Sequence, residues 1–491
     1  MKILLVYPDY EETFWSFKKV LKILGKKASF PPLGLLTVGS MLPDSWEKKL
    51  VDMNTDILKD EHIKWADYIF ISAMIVQKEA VRRVINKVKK FKKPIVGGGP
   101  LFTTGWDEFN DVDHIFLREV EDTFSEFVED LKNGTLKKIY SSDGFPDIKE
   151  TAIPDWNSIN VKNYNSMCIQ LSRGCPFNCE FCDVVQLNGR VPRTKSKEQL
   201  IAELEALYRR GWRAGVFFVD DNFIGNKALL KKEYLPAIIE WQKNKKHPFT
   251  FNTQVSINLA DDKELMELMV EAGFTAAFIG IETPDEDSLE ECGKFQNKNR
   301  NLIESVKIIQ NTGMEVQGGF IVGFDSDKVS IFQRQIEFIQ KSGIVTAMVG
   351  LLTALPKTRL YQRLKETNRL TKRTTGDNTK TAVLNFIPKM DKNILLDGHK
   401  KVLSTIYTPK SYYERIKTFL REYKPTKKIK APKLRMYHIR ALIGSIWWLG
   451  IKQRGRHYFW KLILWSILKR PSLFPYAIGF SLAGIHFRSI S

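Results

Sequence analysis

The chain has 491 residues, of which 43% are hydrophobic and 12% aromatic, and a formal net charge of +20 at pH 7. This length predicts roughly two to four domains, and the apolar content excludes an intrinsically disordered chain. Three of only five cysteines lie between residues 175 and 182, which excludes a disulfide framework and indicates a reducing, cytoplasmic compartment.

Residues 1–140 alternate short apolar strands with helices. The pattern predicts strands at 2–7, 49–51, 68–72 and 94–96, and helices at 33–42 and 78–92. This alternation predicts an α/β fold, a doubly wound parallel sheet that binds ligands at the carboxyl ends of its strands. The first apolar run stops at Pro8, which favours a buried strand over a signal peptide. A Gly- and Pro-containing linker follows at 141–165.

A triple glycine follows the fourth predicted strand, at Gly97, Gly98 and Gly99 before Pro100. Glycine lets the backbone approach a bulky ligand closely, and it equally suits a tight turn. The sequence leaves both possibilities open.

Residues 166–365 contain six further strand–helix units. Strands are predicted at 166–171, 215–219, 250–254, 276–281, 318–322 and 346–351, and helices at 197–210, 263–271, 298–312 and 329–341. Six such units predict a partial (β/α)6 TIM-type barrel, whose chemistry belongs at the carboxyl ends of the strands.

Three cysteines at C-x₃-C-x₂-C spacing follow the first strand of this barrel: Cys175, Cys179 and Cys182. Three thiolates can bind three irons of a [4Fe–4S] cluster and leave the fourth iron open to a small molecule. The alternatives are a zinc site, which takes four N or S ligands when structural, and three unrelated core cysteines. The position at a strand end favours the cluster.

The positive charge is concentrated at the end of the chain. From Lys424 onwards there are fourteen Lys or Arg and no acidic residue, among apolar runs that contain four tryptophans. The runs are shorter than the roughly 20 residues that cross a bilayer. We therefore predict a basic amphipathic tail, residues 426–491, that associates with the inner face of a membrane. The alternative is helices packed on the protein's own core; aromatics gathered in apolar runs argue against nucleic acid.

The sheet domain followed by the cysteine-bearing barrel resembles the cobalamin-binding radical S-adenosylmethionine (SAM) enzymes, over nearly the whole chain. Within that class, five strings resemble the subgroup of hopanoid methylases and archaeal tetraether-lipid ring synthases. They are FFVDDNFIGN at 217–226, GIETP at 280–284, GGFIVGFD at 318–325, AMVGLLTALP at 347–356 and NFIPK at 385–389.

The resemblance implies the site residues. The three cysteines ligate the [4Fe–4S] cluster, and the residues that hold SAM are Phe181 (adenine), Asp220, Asp221 and Asn222 (amino group), Gln254, Ser256 and Glu282 (ribose and carboxylate), and Gly318 and Gly319 (adenine). Alternatively, residues 220–222 cap the next helix. The residues expected around cobalamin are Ser72, Met74, Gln77, Gly97, Gly98, Gly99 and Pro100.

The chain departs from the family pattern at three places. No histidine follows the first strand, and the partial match that contains His62 lies elsewhere, so cobalamin is expected to bind without a protein histidine ligand. Relatives often carry Glu at the position of Gln254. They also often carry Gly-Glu-x-Glu where this chain has Arg118-Glu-Val-Glu121. Because arginine tolerates positive φ badly, we expect a different turn at Arg118.

The resemblance implies an enzyme that abstracts hydrogen from an unactivated sp³ carbon through a 5′-deoxyadenosyl radical. Methylcobalamin then gives a methyl group to a membrane lipid of hopanoid or isoprenoid type. The alternatives are a radical C–C bond-forming or cyclising enzyme on a lipid, antibiotic or tetrapyrrole substrates, and a binding protein with a structural cluster. A flavodoxin- or ferredoxin-type electron donor is expected, and no nucleic acid. An α-helical extension is expected at residues 366–425, and its part around 377–423, with Tyr407, Tyr412 and Tyr413, is expected to close the substrate side.

Overall fold

A computed structural model describes residues 1–372, 374–379, 384–424 and 436–490, and it begins with a six-stranded parallel sheet. The strand order is β2-β1-β3-β4-β5-β6. The elements are β1 (Lys2–Tyr7), α1 (Lys18–Leu24), α2 (Leu33–Met41), β2 (Glu47–Asp52), α3 (Asp60–Trp65), β3 (Tyr68–Ser72), α4 (Lys78–Lys89), β4 (Ile95–Gly98), α5 (Pro100–Gly105), β5 (His114–Phe116), α6 (Phe124–Asn133) and β6 (Ile139–Tyr140).

Both faces of this sheet are covered, as an unbroken apolar strand requires. On β1, Ile3 and Leu5 pack with α2 and α6, whereas Leu4 and Val6 pack with α3, α4 and α5. The strand order reverses between β1 and β3, so the carboxyl ends of these two strands border a crevice of the kind that binds ligands.

A second six-stranded parallel sheet forms the partial barrel, in the order β7-β10-β11-β12-β13-β14, beside a small antiparallel hairpin of β8 and β9. The strands are β7 (Met167–Ile169), β8 (Ser172–Arg173), β9 (Arg193–Thr194), β10 (Gly215–Phe218), β11 (Thr250–Val255), β12 (Phe274–Glu282), β13 (Glu315–Val322) and β14 (Ala347–Leu351). The helices are α7 (Val184–Asn188), α8 (Lys197–Arg209), α9 (Lys227–Leu229), α10 (Leu235–Asn244), α11 (Lys263–Ala272), α12 (Glu286–Glu291), α13 (Leu302–Thr312) and α14 (Ile331–Ser342).

Helices make up the C-terminal part of the chain. They are α15 (Arg359–Glu366), α16 (Lys392–Ile406), α17 (Pro409–Glu422), α18 (Met436–Ser445), α19 (Arg456–Lys469) and α20 (Phe474–Ile490), with a π-helical segment at Ile446–Lys452. The predicted fold class, a doubly wound sheet, a partial barrel and a helical extension, is confirmed. The predicted boundary between extension and tail, at residues 425 and 426, lies outside the described residues.

The end of the chain is integrated into the fold. On α20, Phe487 stacks on Phe14 with ring centroids 4.8 Å apart, and His486 Nε2 lies 3.0 Å from the carbonyl oxygens of Thr13 and Phe14. Helix α20 therefore fixes the loop after β1, whereas α18, α19 and the π-helical segment between them turn large apolar side chains outward. In the part of the chain that the structure describes, no helix is long and apolar enough to cross a membrane.

Candidate active site

The cysteine loop leaves β7 and returns along α7. Gly174 has φ +98°, and a Cβ there would lie 2.8 Å from the Val191 carbonyl oxygen, so this turn requires glycine. The next residue, Cys175, donates its N–H to the Gly189 carbonyl at 3.2 Å. Cys179 is buried, whereas Cys175 and Cys182 are half-buried.

Two carboxylates at the end of β10 hold this loop in place. Asp220 is fully buried and accepts hydrogen bonds from the N–H groups of Leu171 and Ser172 and from the Ser172 hydroxyl. Asp221 accepts from the Gly174 N–H at 2.8 Å. These side chains bind the cluster loop and do not cap the following helix, so the cap alternative is wrong for them. Their contact with the SAM amino group stays a prediction.

The next predicted SAM residues lie on neighbouring strand ends. Asn222 Nδ2 donates to Ser256 Oγ at 3.2 Å, and the Ser256 N–H donates to Asn222 Oδ1 at the same distance. Gln254, on β11, is half-buried between the buried Thr253 and Val255, so it projects towards the barrel interior. The structure thus brings the ends of β10 and β11 together.

A buried ion pair stands beside the cysteines, at the end of β12. Glu282 has φ +62°, and its Oε1 accepts from Lys294 Nζ at 2.8 Å. Burial by itself lowers the pKa of Lys294, but the Glu282 carboxylate and the negative charge of the Cys179 and Cys182 thiolates hold that pKa above its ordinary value. Lys294 therefore stays an ammonium ion close to the cluster loop and can receive a carboxylate of SAM.

Glycines next to this pair make room for neighbouring side chains. Gly280 on β12 lies in register with Gly319 on β13, and a Cβ on Gly319 would lie 2.8 Å from the Phe278 ring. Gly318 instead faces Phe320 and Ile344, so its lack of a side chain serves the core. Phe181 packs near Phe324 with centroids 6.2 Å apart. The adenine contacts expected of these residues stay predictions.

The donor set suits an iron–sulfur cluster. In the described ranges no three His, Cys, Asp or Glu side chains converge as ligands of one metal ion, the arrangement a zinc site needs. Cysteines on a cubane each bind a different iron, so they are spread around it. Burial raises the pKa values of Cys175 and Cys182, and the Lys294 charge opposes that increase.

Glu180, inside the cysteine motif, is clamped by the C-terminal part of the chain. Arg363 of α15 binds it through both oxygens, at 2.6 and 3.0 Å. The same guanidinium reaches Asp325 at 2.8 Å, and Asp325 is held in turn by Arg369 at 2.7 Å. The cluster loop is thereby fixed from its outer side by α15.

Arg173, two residues before Cys175, ties the loop to the first sheet domain. Its guanidinium binds Glu119 and, at 2.8 Å, Glu121. The prediction of a different turn at Arg118 is wrong: Arg118 adopts φ +66°, and its guanidinium lies over the Phe145 ring. The left-handed residue directly precedes Glu119, which together with Glu121 binds Arg173.

A cavity of about 720 Å³ opens between the first sheet and the barrel. Its lining includes the loop after β1, the end of β2, the segment after β3, Met348 of β14 and residues 376–379. Trp15 in its wall lies against Phe278 in the barrel interior, with centroids 5.5 Å apart. Among the described residues, the extension contributes 376–379 to this lining, whereas Tyr407, Tyr412 and Tyr413 are buried in the core and do not reach it. Closure of the substrate side by the extension stays a prediction.

Of the residues predicted around cobalamin, Met74 lines this cavity. Gln77 is buried and joins two loops, donating to the Pro8 carbonyl at 2.6 Å and accepting from the Met74 N–H. At Gly99, φ is +88° and a Cβ would lie 2.8 Å from Ser72 Oγ, which supports the tight-turn alternative there, with Pro100 opening α5. A Cβ on Gly97 would meet the Phe102 ring, whereas one on Gly98 would make only an ordinary contact, 3.8 Å from Phe116 Cβ.

The binding of cobalamin without a protein histidine stays a prediction. The described residues that line the cavity include no histidine, and His62 lies in the first turn of α3, where its Nδ1 faces the Lys59 N–H at 3.4 Å. Among the residues that line the cavity, the side chains of Tyr10, Asn54 and Met74 could contact the cofactor.

Known families match each part of this arrangement. A B12-binding domain matches residues 26–128, the radical SAM superfamily matches residues 169–339, and a domain of unknown function matches residues 358–491. Fold and site therefore define a radical SAM enzyme with an N-terminal B12-binding domain.

Relatives narrow this class. An uncharacterized methyltransferase of Synechocystis sp. is 40% identical, covering 99% of this chain and 91% of its own. The hopanoid C-2 methylase of Rhodopseudomonas palustris is 31% identical, covering 95% and 90%. The solved structure of the cobalamin-dependent SAM radical enzyme OxsB shares the fold, with a TM-score of 0.65 at 15% identity over 99% of this chain and 78% of that one.

The chain thus belongs to the family of cobalamin-dependent radical SAM methyltransferases that includes hopanoid C-2 methylase. Its cofactors are a [4Fe–4S] cluster, SAM and cobalamin.

Sequence analysis missed Lys294, Arg363 and Arg173. Each is one of the chain's 76 Lys and Arg residues, and no spacing marks it as buried or paired. Glu119 and Glu121 carried the available signal, because two acids at a domain end need a cationic partner when they are buried.

Proposed function

We propose that this protein transfers a methyl group to an unactivated sp³ carbon of a membrane lipid with a polycyclic or isoprenoid skeleton. The observation that carries the proposal is the nearly full-length similarity to hopanoid C-2 methylase. The cavity supports it, because the walls contain Phe14, Trp15, Phe30, Met53 and Met348 and suit an apolar substrate.

The chain's own residues divide the work. The three cysteines hold three irons of the cluster, and Lys294 with Glu282 offers an ammonium ion and a carboxylate to the SAM methionyl group. Bound SAM supplies the hydrogen-abstracting radical when an electron arrives, and bound cobalamin supplies the methyl group. Trp15 and Phe278 stand between the cavity and the barrel interior, where apolar side chains keep out water and other hydrogen donors.

We also propose an external one-electron donor of flavodoxin or ferredoxin type, a cytoplasmic location and peripheral association with the inner face of the membrane. The reducing compartment that an iron–sulfur cluster needs supports the first two proposals. The acid-free, tryptophan-bearing C-terminal segment supports the third. The division of the chain at 1–140, 141–165, 166–365, 366–425 and 426–491 likewise stays a proposal.

The test is anaerobic reconstitution with iron, sulfide and cobalamin, followed by incubation with reductant, CD₃-labelled SAM and total membrane lipid. Mass spectrometry of the lipid is expected to find one labelled methyl group together with 5′-deoxyadenosine, and neither with the Cys179→Ala variant. If 5′-deoxyadenosine forms while a lipid loses hydrogen and gains no label, the enzyme is instead a cyclase or C–C bond-forming enzyme.

A further inference from the structure

Helices α18 and α19 and the segment between them carry apolar side chains on their outer side. On α19, Trp460, Leu464, Ile467 and Leu468 recur at helical spacing, and Leu468 is 77% exposed. We call the whole set the outer face: Ile439, Leu442, Ile443, Trp447, Trp448, Ile451, Trp460, Leu464, Ile467 and Leu468.

The outer face is distinct from the core that the same helices build. Leu449, Phe459 and Leu462 point inward and are buried. Trp460 Nε1 donates to the Gly450 carbonyl at 3.1 Å, which joins α19 to the π-helical segment. Monomeric proteins rarely expose so many large apolar side chains to water. We therefore expect the outer face to bind a partner.

The charges around the outer face select the class of partner. Its exposed neighbours are cationic, namely Arg440, Lys452, Arg454, Arg456, Lys461 and Lys469. Lys452 Nζ lies 5.2 and 4.9 Å from the ring centroids of Trp447 and Trp448. The chain has no acidic residue after Glu422, so a second copy would meet this face with like charge. Apolar, tryptophan-bearing surface within a cationic border fits the interface of an anionic bilayer.

One helix joins the outer face to the substrate cavity. Helix α1 packs directly on α18: a Cβ on Gly444 would lie 2.3 Å from Ile23 Cγ2, and one on Gly25 would overlap the Arg440 guanidinium. The other side of α1 carries Lys18 and Lys22, four residues apart, and both line the cavity.

We propose that the outer face docks in the plane of an anionic bilayer and that α1 forms the membrane-side wall of the cavity mouth. This inference rests on the proposed lipid substrate. A lipid then passes from the bilayer into the cavity alongside α1, without crossing water. Lys18 and Lys22 meet its anionic head group or those of its neighbours at the entrance.

The first test is flotation of the reconstituted holoenzyme with vesicles of phosphatidylcholine, with or without phosphatidylglycerol. The variant Trp448→Glu/Leu464→Glu/Leu468→Glu is expected to float at least about tenfold less with anionic vesicles. Its matched control, Ile57→Glu/Val329→Glu/Ile394→Glu, replaces exposed apolar residues elsewhere and is expected to float like the wild type. Equal flotation of the two variants would overturn the docking face.

The electrostatic part has its own variants. Lys452→Gln and Arg454→Gln are each expected to weaken binding to anionic vesicles by about fivefold, which corresponds to about 1 kcal/mol per cation, and to leave binding to neutral vesicles unchanged. Equal binding of the wild type to neutral and anionic vesicles would contradict this part. A dimer in sedimentation velocity that the triple outer-face variant abolishes would assign the face to self-association instead.

The position of α1 is tested by acetylation of lysines with and without anionic vesicles, quantified by mass spectrometry. Lys22 and Lys452 are expected to be protected, and Lys263 on α11 to react equally in both. If Lys452 is protected and Lys22 is not, α1 does not face the membrane.

Flotation needs no turnover, so it separates this inference from the proposed function. An enzyme that methylates lipid in detergent micelles and does not float would keep the function and lose the docking face. The triple outer-face variant is expected to methylate lipid in micelles at the wild-type rate and to lose most of that activity with vesicles.

Discussion

The carboxylates next to the cluster loop bind mainly backbone N–H groups of that loop. Asp220 gathers two N–H groups and a hydroxyl, and Asp221 gathers the N–H of Gly174, so the turn that presents Cys175 depends on two carboxylates at a strand end. Asp220 and Asp221 in the string FVDDN therefore have a structural function, in addition to any contact that they make with SAM.

Replacing Asp220 with Asn is expected to loosen this loop and to lower the iron bound per chain, because the carboxamide nitrogen cannot accept from the backbone N–H groups of Leu171 and Ser172, whereas both carboxyl oxygens can. Burial, which outweighs the hydrogen bonds, raises the pKa of Asp220 to about 7. Because the folded state holds this proton more tightly than the unfolded state, protonation of Asp220 adds to the free energy of unfolding. This contribution is complete below the ordinary carboxyl pKa and is lost as pH rises through about 7. The gap in unfolding free energy between wild type and D220N should therefore narrow from pH 5 to pH 8 in urea titrations. A gap that widens would mean that the hydrogen bonds outweigh burial.

Sequence patterns predicted this loop well and its electrostatic partners poorly. Spacing marked Cys175, Cys179 and Cys182, because ligand geometry is local. Lys294 lies 112 residues beyond Cys182 and reaches the loop only through the pairing of β12 in the barrel. The burial of Lys294 depends on packing between residues that are distant in the sequence, so no local sequence pattern predicts it.

Among the elements, α15 has a larger part than its eight residues suggest. It follows the barrel directly and sends Arg363 back to Glu180 and Asp325, both nearly buried. Its backbone joins in, since the Leu360 N–H donates to the Glu180 carbonyl at 3.0 Å. The cluster loop is thus braced by the first helix after the barrel.

Arg363→Gln is expected to lower the free energy of unfolding by about 2 kcal/mol, because hydrogen bonds to two charged carboxylates are lost and the guanidinium is partly exposed. Iron content after reconstitution should fall as well. The matched control is Arg300→Gln, which removes a bidentate ion pair with Asp261 away from the cluster loop. Equal loss of iron in the two variants would remove α15 from the positioning of the cluster loop.

Element bounds followed from periodicity where strands are buried. The strands 2–7 and 68–72 were predicted with the bounds they have, since both are apolar runs that end at turn residues. The helix predicted from residue 298 begins at Leu302, because the Asn301 side chain accepts from the Glu304 N–H and starts the helix there. The strand order, and the packing of α20 on the loop after β1, depend on contacts between distant residues.

In the whole molecule, the two cofactor-binding parts are joined by charge as well as by the linker. Arg173 from the cluster loop enters a site made by Glu119 and Glu121 of the first domain, and Arg193 also binds Glu119. These ion pairs join the cobalamin-binding domain to the cysteine loop of the barrel.

Arg173→Gln is therefore expected to uncouple the two parts. It leaves Glu121 buried without its cation and Glu119 with Arg193 alone, at a cost of about 3 kcal/mol. Calorimetry at pH 7 should resolve two transitions where the wild type shows one, and trypsin should cleave the 141–165 segment faster. The control Arg82→Gln removes an ion pair with Asp111 inside the first domain and should keep one transition.

Acid should reproduce this uncoupling in the wild type. Burial alone raises the pKa of Glu121, but the Arg173 charge and the Thr151 hydroxyl outweigh it and hold that pKa below its ordinary value. A lowered pKa gives stability that is present above the ordinary glutamate value and is lost as pH falls through the folded-state value. The single thermal unfolding transition of the wild type should then split into two as pH is lowered below about 4.5. The temperature difference between the two transitions of R173Q should change much less. A wild-type transition that stays single in acid would show that apolar contacts, and not this ion cluster, hold the cobalamin-binding domain against the barrel.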